Sequence, residues 1–253
     1  MEIIKSTIKV GNSAGVILPR KWLNMQVKVV LEPMNIEKEV VDILLNKGLL
    51  RNVLGIYLVG SSARNEQDID SDIDILVITD SINQKIKQGK YEIICIGKTE
   101  LETQLKKNIL PILPMIKEAR AIVNEGLIKD YLSSKITKQN LKYHIETTKS
   151  AMGIIKKEIT LSDETNGKVS DASAYSLILR LRSIYILECI KKNKIWSKKS
   201  FLRLIEKISG SLNAYKRYLS SKNNNTLDYK LQKEEAEKIM NYINKKIIKL
   251  ENE

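Results

Sequence analysis

The chain has 253 residues, of which 43% are hydrophobic, and a formal net charge of +13. This length exceeds one average domain, and the apolar content is ample for packed cores. No run of about 18 apolar residues occurs and the N-terminus lacks a signal-peptide pattern, so we expect a soluble, cytoplasmic protein with no membrane span. The chain has two cysteines and one histidine, which argues against a disulfide framework or a zinc site.

Residues 1–33 have the pattern of a small β-hairpin module. Two strand-like runs, 4–10 and 14–18, flank the turn Gly11-Asn12-Ser13. Pro19 ends the second run and starts one helical turn, and a third strand-like run follows at 27–31. The Gly-Asn-Ser turn and the Leu-Pro step resemble the swapped-hairpin domain of the AbrB/MazE type.

That resemblance implies a homodimer, because a hairpin this short cannot bury a core alone and members interleave two chains. It also implies DNA binding, with Lys9, Arg20 and Lys21 as phosphate contacts and Asn12 as a turn residue or base contact. The alternative is a module that only dimerises, since this copy carries few basic residues.

Residues 34–132 read as a small α/β unit. Apolar spacing predicts a helix over 36–50 and further helices at 100–107 and 115–122, the last leading into a strand at Val123. Three runs read as buried strands: Ile56–Val59, Asp72–Ile78 and Lys90–Ile96.

The densest motif lies between the first two of these strands. Gly60-Ser61 permits a tight backbone turn against a ligand, and Asp72-Ile73-Asp74 follows after ten residues. Alternate residues of a strand share a face, so the carboxylates of Asp72 and Asp74 should point the same way. Two such acids repel each other unless a cation neutralises them. The pair therefore indicates a hard divalent ion, and Mg²⁺ is the ion that we expect.

Gly-Ser, a spacer and Asp-x-Asp, together with Arg64 and Ser71, resemble the minimal nucleotidyltransferases of the DNA polymerase β superfamily. The resemblance implies that Gly60, Ser61, Arg64 and Ser71 position a nucleoside triphosphate. It also implies that Asp72 and Asp74 hold metal ions, two Mg²⁺ with Mn²⁺ as the alternative. The competing interpretation is a chance acidic turn between two strands.

The same resemblance requires a third carboxylate on a later strand. Glu92 is the acid in the strand-like run 90–96, so we assign it as the third metal ligand and as the group that assists deprotonation of the acceptor. The family more often has Asp at this position. The alternative is an ordinary Glu facing solvent on an edge strand.

Residues 133–253 carry most of the net positive charge and read as a helical bundle. His144 has no Arg four to six residues before it, so ribonuclease activity of the HEPN type is not expected, and we interpret it as an ordinary helix histidine. Arg180, Arg182 and Tyr185 are candidates to face the catalytic cleft, although salt bridges explain the arginines equally well. The helices are predicted at 137–161, 170–192, 197–208, 211–220 and 228–250, with Ser170, Ser197 and Asp228 at positions where N-caps belong.

Together these patterns predict an α+β chain with a hairpin module (1–33), a mixed-sheet nucleotidyltransferase domain (34–132) and a helical bundle (133–253). The expected reaction is transfer of NMP from an NTP to a hydroxyl acceptor with release of pyrophosphate, and ATP is the NTP that we expect. Acceptors of the class are a protein hydroxyl, as in antitoxins that AMPylate a HEPN partner, an RNA 3′ end or an aminoglycoside. The alternative is a DNA-binding regulator whose transferase domain senses nucleotide.

Overall fold

The structure is a computed structural model, which describes residues 3, 5, 7–30, 35–67, 71–161, 168–222 and 231–252. The chain divides into two units, Met1–Ile36 and Glu37–Glu253. The second unit combines a mixed sheet with a helical bundle, which confirms the predicted α+β class.

The first unit contains a short antiparallel hairpin. Strands β1 (Ile8–Val10) and β2 (Ser13–Gly15) pair around Gly11, whose φ of +58° suits a glycine. A 3₁₀ turn at Arg20–Trp22 follows Pro19. The third predicted strand is wrong for residues 27–30, which are not in a strand, and Leu31 lies outside the described residues. A strand needs a neighbour to bond with, and no other described strand pairs with this segment.

Five strands of the second unit form one mixed sheet in the order β5-β6-β4-β3-β7. Strands β4 and β6 are parallel, and the other neighbours are antiparallel. The strand bounds are β3 Val53–Val59, β4 Ile73–Thr79, β5 Gln84–Gln88, β6 Tyr91–Gly97 and β7 Arg120–Val123.

One face of this sheet is covered by three helices. Leu101, Leu113 and Ile128, one from each helix, are buried against Tyr57 and Leu76 of the sheet. The helices in this part of the chain are α1 Ile36–Asn46, α2 Gly60–Ala63, α3 Lys98–Lys107, α4 Leu113–Glu118 and α5 Glu125–Leu132.

Two of these elements have weak sequence patterns. Strand β5 reads Gln-Lys-Ile-Lys-Gln, so Ile86 is its single strand-forming residue, and its two lysines suit the exposed edge of the sheet. Helix α5 starts after Asn124, whose side chain accepts a hydrogen bond from Leu127 N at 3.1 Å. Neither element was expected from the sequence.

In the part of the bundle that the structure describes, there are five helices and a two-residue strand pair, β8 (Lys168–Val169) with β9 (Leu231–Gln232). Ser170 and Ser197 cap α7 and α8, as predicted, whereas the predicted cap Asp228 lies outside the described residues. No described helix is both long and apolar enough to cross a membrane. The helices are α6 Lys138–Leu161, α7 Asp171–Lys191, α8 Lys198–Ser209, α9 Asn213–Lys222 and α10 Lys233–Glu251.

A buried amide joins the bundle to the sheet part. Asn140, in the first turn of α6, has no exposed surface. Its Nδ2 donates to the carbonyl oxygens of Leu105 at 3.3 Å and Lys106 at 2.6 Å, which belong to the last turn of α3. These carbonyls would otherwise lack intrahelical partners, so α6 caps α3.

Candidate functional site

The three predicted carboxylates come from two neighbouring strands. Asp72 directly precedes β4, Asp74 is the second residue of β4, and Glu92 is the second residue of β6. In the parallel register of these strands, Asp74 lies directly opposite Glu92. Neighbouring strands are about 4.8 Å apart, and paired residues share a face of the sheet. Both acids therefore stand on the same face, at the same end of β4 and β6. Strand β6 is not an edge strand, because β5 covers its other side.

These acids repel one another. Burial raises the pKa of Asp74 above its usual range, and the charges of Glu92 and Asp72 raise it further. Two cations, Arg64 and Lys222, act in the opposite direction and lower it. Lys222 ends helix α9, so the bundle supplies a positive charge to the carboxylates. Sequence reasoning missed Lys222, since one lysine in a basic helical region carries no distinguishing pattern.

Asp72 is more open to solvent. Its side chain is 49% exposed, and Lys87 Nζ lies 3.9 Å from Oδ2. The lysine is itself 70% exposed, so this contact is screened by water and contributes little to stability.

The Gly60-Ser61 turn packs directly against Asp74. Gly60 has a φ of +70°, and a Cβ at this position would lie 2.0 Å from Asp74 Oδ2. Val59, the preceding residue, pairs with Asp74 between β3 and β4. Only glycine therefore fits here, for conformation and for space. Ser61 follows in the short helix α2, and Ser71, half buried, directly precedes Asp72.

Arg64 lies behind this turn and contacts protein groups on three sides. Its Nε donates to Glu66 Oε2 at 3.0 Å, and its Nη1 donates to Glu118 Oε2 at 2.5 Å. The guanidinium also stacks over the ring of Trp196 at 4.2 Å. Arg64 is thus close to the predicted nucleotide turn, but its side chain is only 8% exposed.

Glu118 is a buried acid that sequence reasoning did not identify. Its Oε1 accepts a hydrogen bond from Gly60 N at 2.8 Å, and its side chain is 4% exposed. Burial is the main influence and raises its pKa, while Arg64 and the Gly60 N–H oppose this effect. A Lys-Glu pair at the end of a short helix looks like ordinary surface, so the sequence held no signal for it.

The carboxylates fit a divalent cation by charge. Among the described residues, no three His, Cys, Asp or Glu side chains stand close enough to enclose an ion by themselves. Mg²⁺ is commonly held by one or two carboxylates together with substrate phosphates, so a full protein cage is not required. Burial and the charges of Glu92 and Asp72 together raise the pKa of Asp74, and a cation bound beside these carboxylates would stabilise its ionised form.

The other predicted residues fall outside this cluster. His144 is buried in the bundle, and burial with the nearby charge of Arg180 lowers its pKa to about 4. Arg182 stacks on Trp196 at 4.7 Å. Neither cysteine forms a disulfide; Cys95 is buried and Cys189 is half-buried.

In the hairpin unit, the three described residues predicted to contact DNA are exposed: Asn12, in the turn, and Arg20 and Lys21. The side chain of Lys9 lies outside what the structure describes.

Comparison with known proteins identifies the sheet part. Residues 37–144 match the family described as "Nucleotidyltransferase domain". No curated protein sequence is significantly similar to the chain.

Two solved structures show a distant similarity to the chain. A nucleotidyltransferase-like protein from Exiguobacterium sibiricum is 10% identical over 85% of this chain and 75% of its own, with a TM-score of 0.37. Spectinomycin adenyltransferase AAD(9) from Enterococcus faecialis, solved with ATP and spectinomycin, is 15% identical over 84% of this chain and 98% of its own, with a TM-score of 0.43. Likenesses at this level do not indicate a substrate for this chain.

The match identifies residues 37–144 as a nucleotidyltransferase domain, and this domain supports a transferase enzyme.

Proposed function

We propose that this nucleotidyltransferase domain transfers NMP from an NTP, ATP first, to a hydroxyl acceptor and releases pyrophosphate. The observation that carries this proposal is the register pairing of Asp74 with Glu92 beside the Gly60 turn. Two carboxylates of neighbouring strands therefore stand next to a turn whose glycine has a positive φ.

Asp72, Asp74 and Glu92 are the proposed ligands of Mg²⁺, with two ions in the active complex and Mn²⁺ as a substitute. A bound ion would neutralise phosphate charge and polarise the phosphoryl group. Glu92 also accepts the proton of the acceptor hydroxyl. The acceptor oxygen then bonds to the α-phosphorus, and the bond from that phosphorus to the pyrophosphate oxygen breaks.

Gly60, Ser61, Arg64 and Ser71 are proposed to position the triphosphate. Gly60 lets the turn pass directly against Asp74, and the hydroxyls of Ser61, in the turn, and Ser71, next to Asp72, are the proposed donors to the phosphates. Arg64 supplies positive charge and holds the turn from behind, because its guanidinium contacts Glu66 and Glu118. Lys222 approaches Asp74 from the bundle and adds a second cation for the phosphates.

For the acceptor, we place a protein hydroxyl first, as in antitoxins that AMPylate a partner toxin. The basic bundle supports an acidic macromolecular partner, since the net charge of +13 is concentrated in residues 133–253. An RNA 3′ end and an aminoglycoside are the other acceptors to test.

The deciding experiment uses α-labelled ATP and Mg²⁺ with three acceptors in parallel: the product of the neighbouring gene, total RNA and an aminoglycoside panel. We expect label on the protein. Label on RNA or on an aminoglycoside would replace the AMPylation proposal while keeping the transferase. The Asp72→Asn, Asp74→Asn double variant should transfer nothing, and transfer by that variant would show that the metal ligands are assigned wrongly.

The second candidate function is a DNA-binding regulator in which the transferase domain senses nucleotide. The separate N-terminal unit favours it, with Arg20 and Lys21 exposed next to the 3₁₀ turn. Specific binding to its own promoter, without label transfer from ATP to any acceptor, would favour this candidate. Loss of that binding in an Arg20→Ala, Lys21→Ala variant would assign it to the hairpin unit.

The N-terminal unit also supports a homodimer. Several of its large apolar side chains are exposed, with Leu23 72%, Met25 66%, Val29 66% and Val30 68% accessible. A patch of this kind on a short hairpin is the usual mark of an interface, and a second copy of the same chain is the proposed partner.

A further inference from the structure

A cluster of charged and aromatic groups joins the nucleotide turn to the helical bundle. Arg64, Glu66 and Glu118 belong to the sheet part, and Trp196 and Ser197 belong to the segment between α7 and α8. We call these five residues the Arg64 joint. The sequence pattern assigns Arg64 to the triphosphate. It gives the other four residues no role in binding phosphate, metal or acceptor.

Glu118 is the inner member of the joint. One carboxylate oxygen accepts from Gly60 N at 2.8 Å, and the other accepts from Arg64 Nη1 at 2.5 Å. A single side chain therefore fixes both the first residue of the turn and the arginine behind it. With 4% exposure for Glu118 and 8% for Arg64, water does not substitute easily for either contact.

Glu66 is the outer member and reaches the bundle. Its Oε2 accepts from Arg64 Nε at 3.0 Å and from Lys198 N at 3.1 Å, while its Oε1 accepts from Ser197 Oγ at 2.6 Å. Glu66 thus caps the start of α8 while it holds the arginine of the turn. These contacts lower the pKa of Glu66 below its usual range, although burial acts against them.

Trp196 completes the connection. Its ring stacks with two guanidinium groups, that of Arg64 at 4.2 Å and that of Arg182 from α7 at 4.7 Å. Both contacts are within the range of cation–π attraction, and we expect the emission of the indole to respond to the nearby charges. Movement of Arg64 would therefore be detected at Trp196.

We infer that Glu118 is a positioning residue for the nucleotide, and that the Arg64 joint couples occupancy of the Gly60-Ser61 turn to the position of the helical bundle. This inference rests on the proposed function in one respect, namely that the turn holds the triphosphate. Gly60 is in contact with Asp74, so a displacement of the turn displaces the carboxylate as well. The bundle carries Lys222, so the same joint sets where this cation stands.

The chain itself provides a reporter. Its two tryptophans are Trp22, in the hairpin unit, and Trp196. A Trp22→Phe background leaves Trp196 as the single indole. Titration with α,β-methylene ATP and Mg²⁺, which binds without transfer, should change its emission.

In this background, Glu118→Gln keeps an oxygen acceptor for Gly60 N but removes the charge that holds Arg64. We expect KM for ATP to rise about tenfold, kcat to change less than about threefold, and the Trp196 response to be lost. The matched control is Glu188→Gln, which removes a partly buried carboxylate paired with Lys246 at 2.5 Å within the bundle. It should retain the wild-type KM and emission change.

A second variant guards against simple unfolding. Glu118→Asp keeps a negative charge beside Arg64, but its side chain is one methylene shorter and cannot hold Gly60 N and Arg64 Nη1 in their present positions. If Glu118 positions the nucleotide, KM for ATP stays high in folded Glu118→Asp protein. A wild-type KM in this variant would mean that the position of the carboxylate does not matter, and the inference would be overturned.

The outcomes separate this inference from the proposed function. A nucleotide-dependent Trp196 signal without transfer to any acceptor would overturn the function and leave the coupling intact. Normal transfer with a silent Trp196, or an unchanged KM in folded Glu118→Gln protein, would overturn the coupling and leave the function intact.

Discussion

Asp74 and Glu92 lie side by side in the parallel register of β4 and β6, so two carboxylates stand at the same end of these two strands. The strands on either side fix this distance, because β3 pairs with β4 and β5 pairs with β6. The two acids therefore cannot separate to reduce their repulsion. Their proximity is imposed by the sheet and costs stability whenever both are charged.

This repulsion predicts that Asp74→Asn stabilises the protein in the absence of metal. The pKa of Asp74 is raised in the folded state, so its ionised form opposes folding above the unfolded pKa, and the penalty disappears as the pH falls far enough to protonate it. At pH 7 we expect Tm to rise by about 2–4 °C, the shift that about 1 kcal/mol produces at this size. Transfer activity should be lost.

The wild type and Asp74→Asn together test whether Asp74 binds the metal ion. Mg²⁺ or Mn²⁺ should raise the Tm of the wild type, because the ion binds only the folded state, and should have little effect on Asp74→Asn. A thermal scan with and without EDTA measures both effects. An equal metal-induced shift in both proteins would contradict the assignment.

Glu92 should affect the chemical step more than nucleotide binding. Replacing it by Gln keeps its size but removes the proton acceptor, so we expect kcat to fall by about 10²–10⁴ with a smaller change in KM for ATP. Pyrophosphate release under saturating ATP measures this. Glu125→Gln is the control, since that glutamate pairs only with exposed Lys129 on α5 and should behave as wild type.

Two glycines with similar backbone conformations separate strain from steric conflict. Gly60 and Gly89 have φ of +70° and +57°, and an added Cβ meets Asp74 at the first but nothing within 4 Å at the second. Both Ala variants should lose about 1–2 kcal/mol from backbone strain. Only Gly60→Ala should also lose transfer activity. Urea unfolding measures the stability of both variants, and a transfer assay measures their activity. Full activity in Gly60→Ala would argue against a role of this turn in catalysis.

The single histidine gives the stability curve a defined pH dependence. His144 has a pKa of about 4 in the folded protein, against 6.5 as its ordinary value, because burial and Arg180 disfavour its charged form. Its contribution is fully present above pH 6.5 and is lost as the pH falls from there towards 4. At about 1.4 kcal/mol per pKa unit, the loss reaches at most about 3–4 kcal/mol.

Urea unfolding at several pH values compares the wild type with His144→Leu. The free energy of unfolding of the variant should depend less on pH between pH 6.5 and 4.5. Other groups that titrate in this range are the same in both proteins. Parallel curves over this window would show that His144 is accessible to protons in the folded protein.

The exposed apolar side chains of the hairpin unit predict that charge will disrupt the dimer. Leu23→Asp with Val29→Asp should convert the protein to a monomer in light scattering, because both residues would lie in the interface. Leu45→Asp is the matched control, a 59% exposed leucine on α1 that should leave the mass unchanged. A wild-type protein that stays monomeric at high concentration would rule out a second copy of the chain as the partner.

Local pattern predicted much of the fold for definite reasons. The strands with Asp74 and Glu92 were expected because aliphatic runs bounded by turns are strong signals, and the five bundle helices were expected from caps and apolar spacing. The third hairpin strand was wrong for residues 27–30, since β-branched composition alone does not supply a pairing partner.

The contacts of Glu118 show where sequence reasoning ends. Gly60 and Glu118 are 58 positions apart, and their hydrogen bond depends on how α4 returns towards the end of β3. Likewise, the proximity of Lys222 to Asp74 depends on the packing of the bundle. Such long-range relationships follow from tertiary geometry, which the periodicity of a single segment does not encode.

The Asn140 amide has a practical consequence for dividing the chain. A cut after residue 132, the domain boundary expected from sequence, would remove Asn140 and leave the carbonyls of Leu105 and Lys106 without its donors. An isolated catalytic fragment that ends there would fray at the end of α3. The smallest fragment that keeps this cap includes the first turns of α6, which the matched segment 37–144 contains.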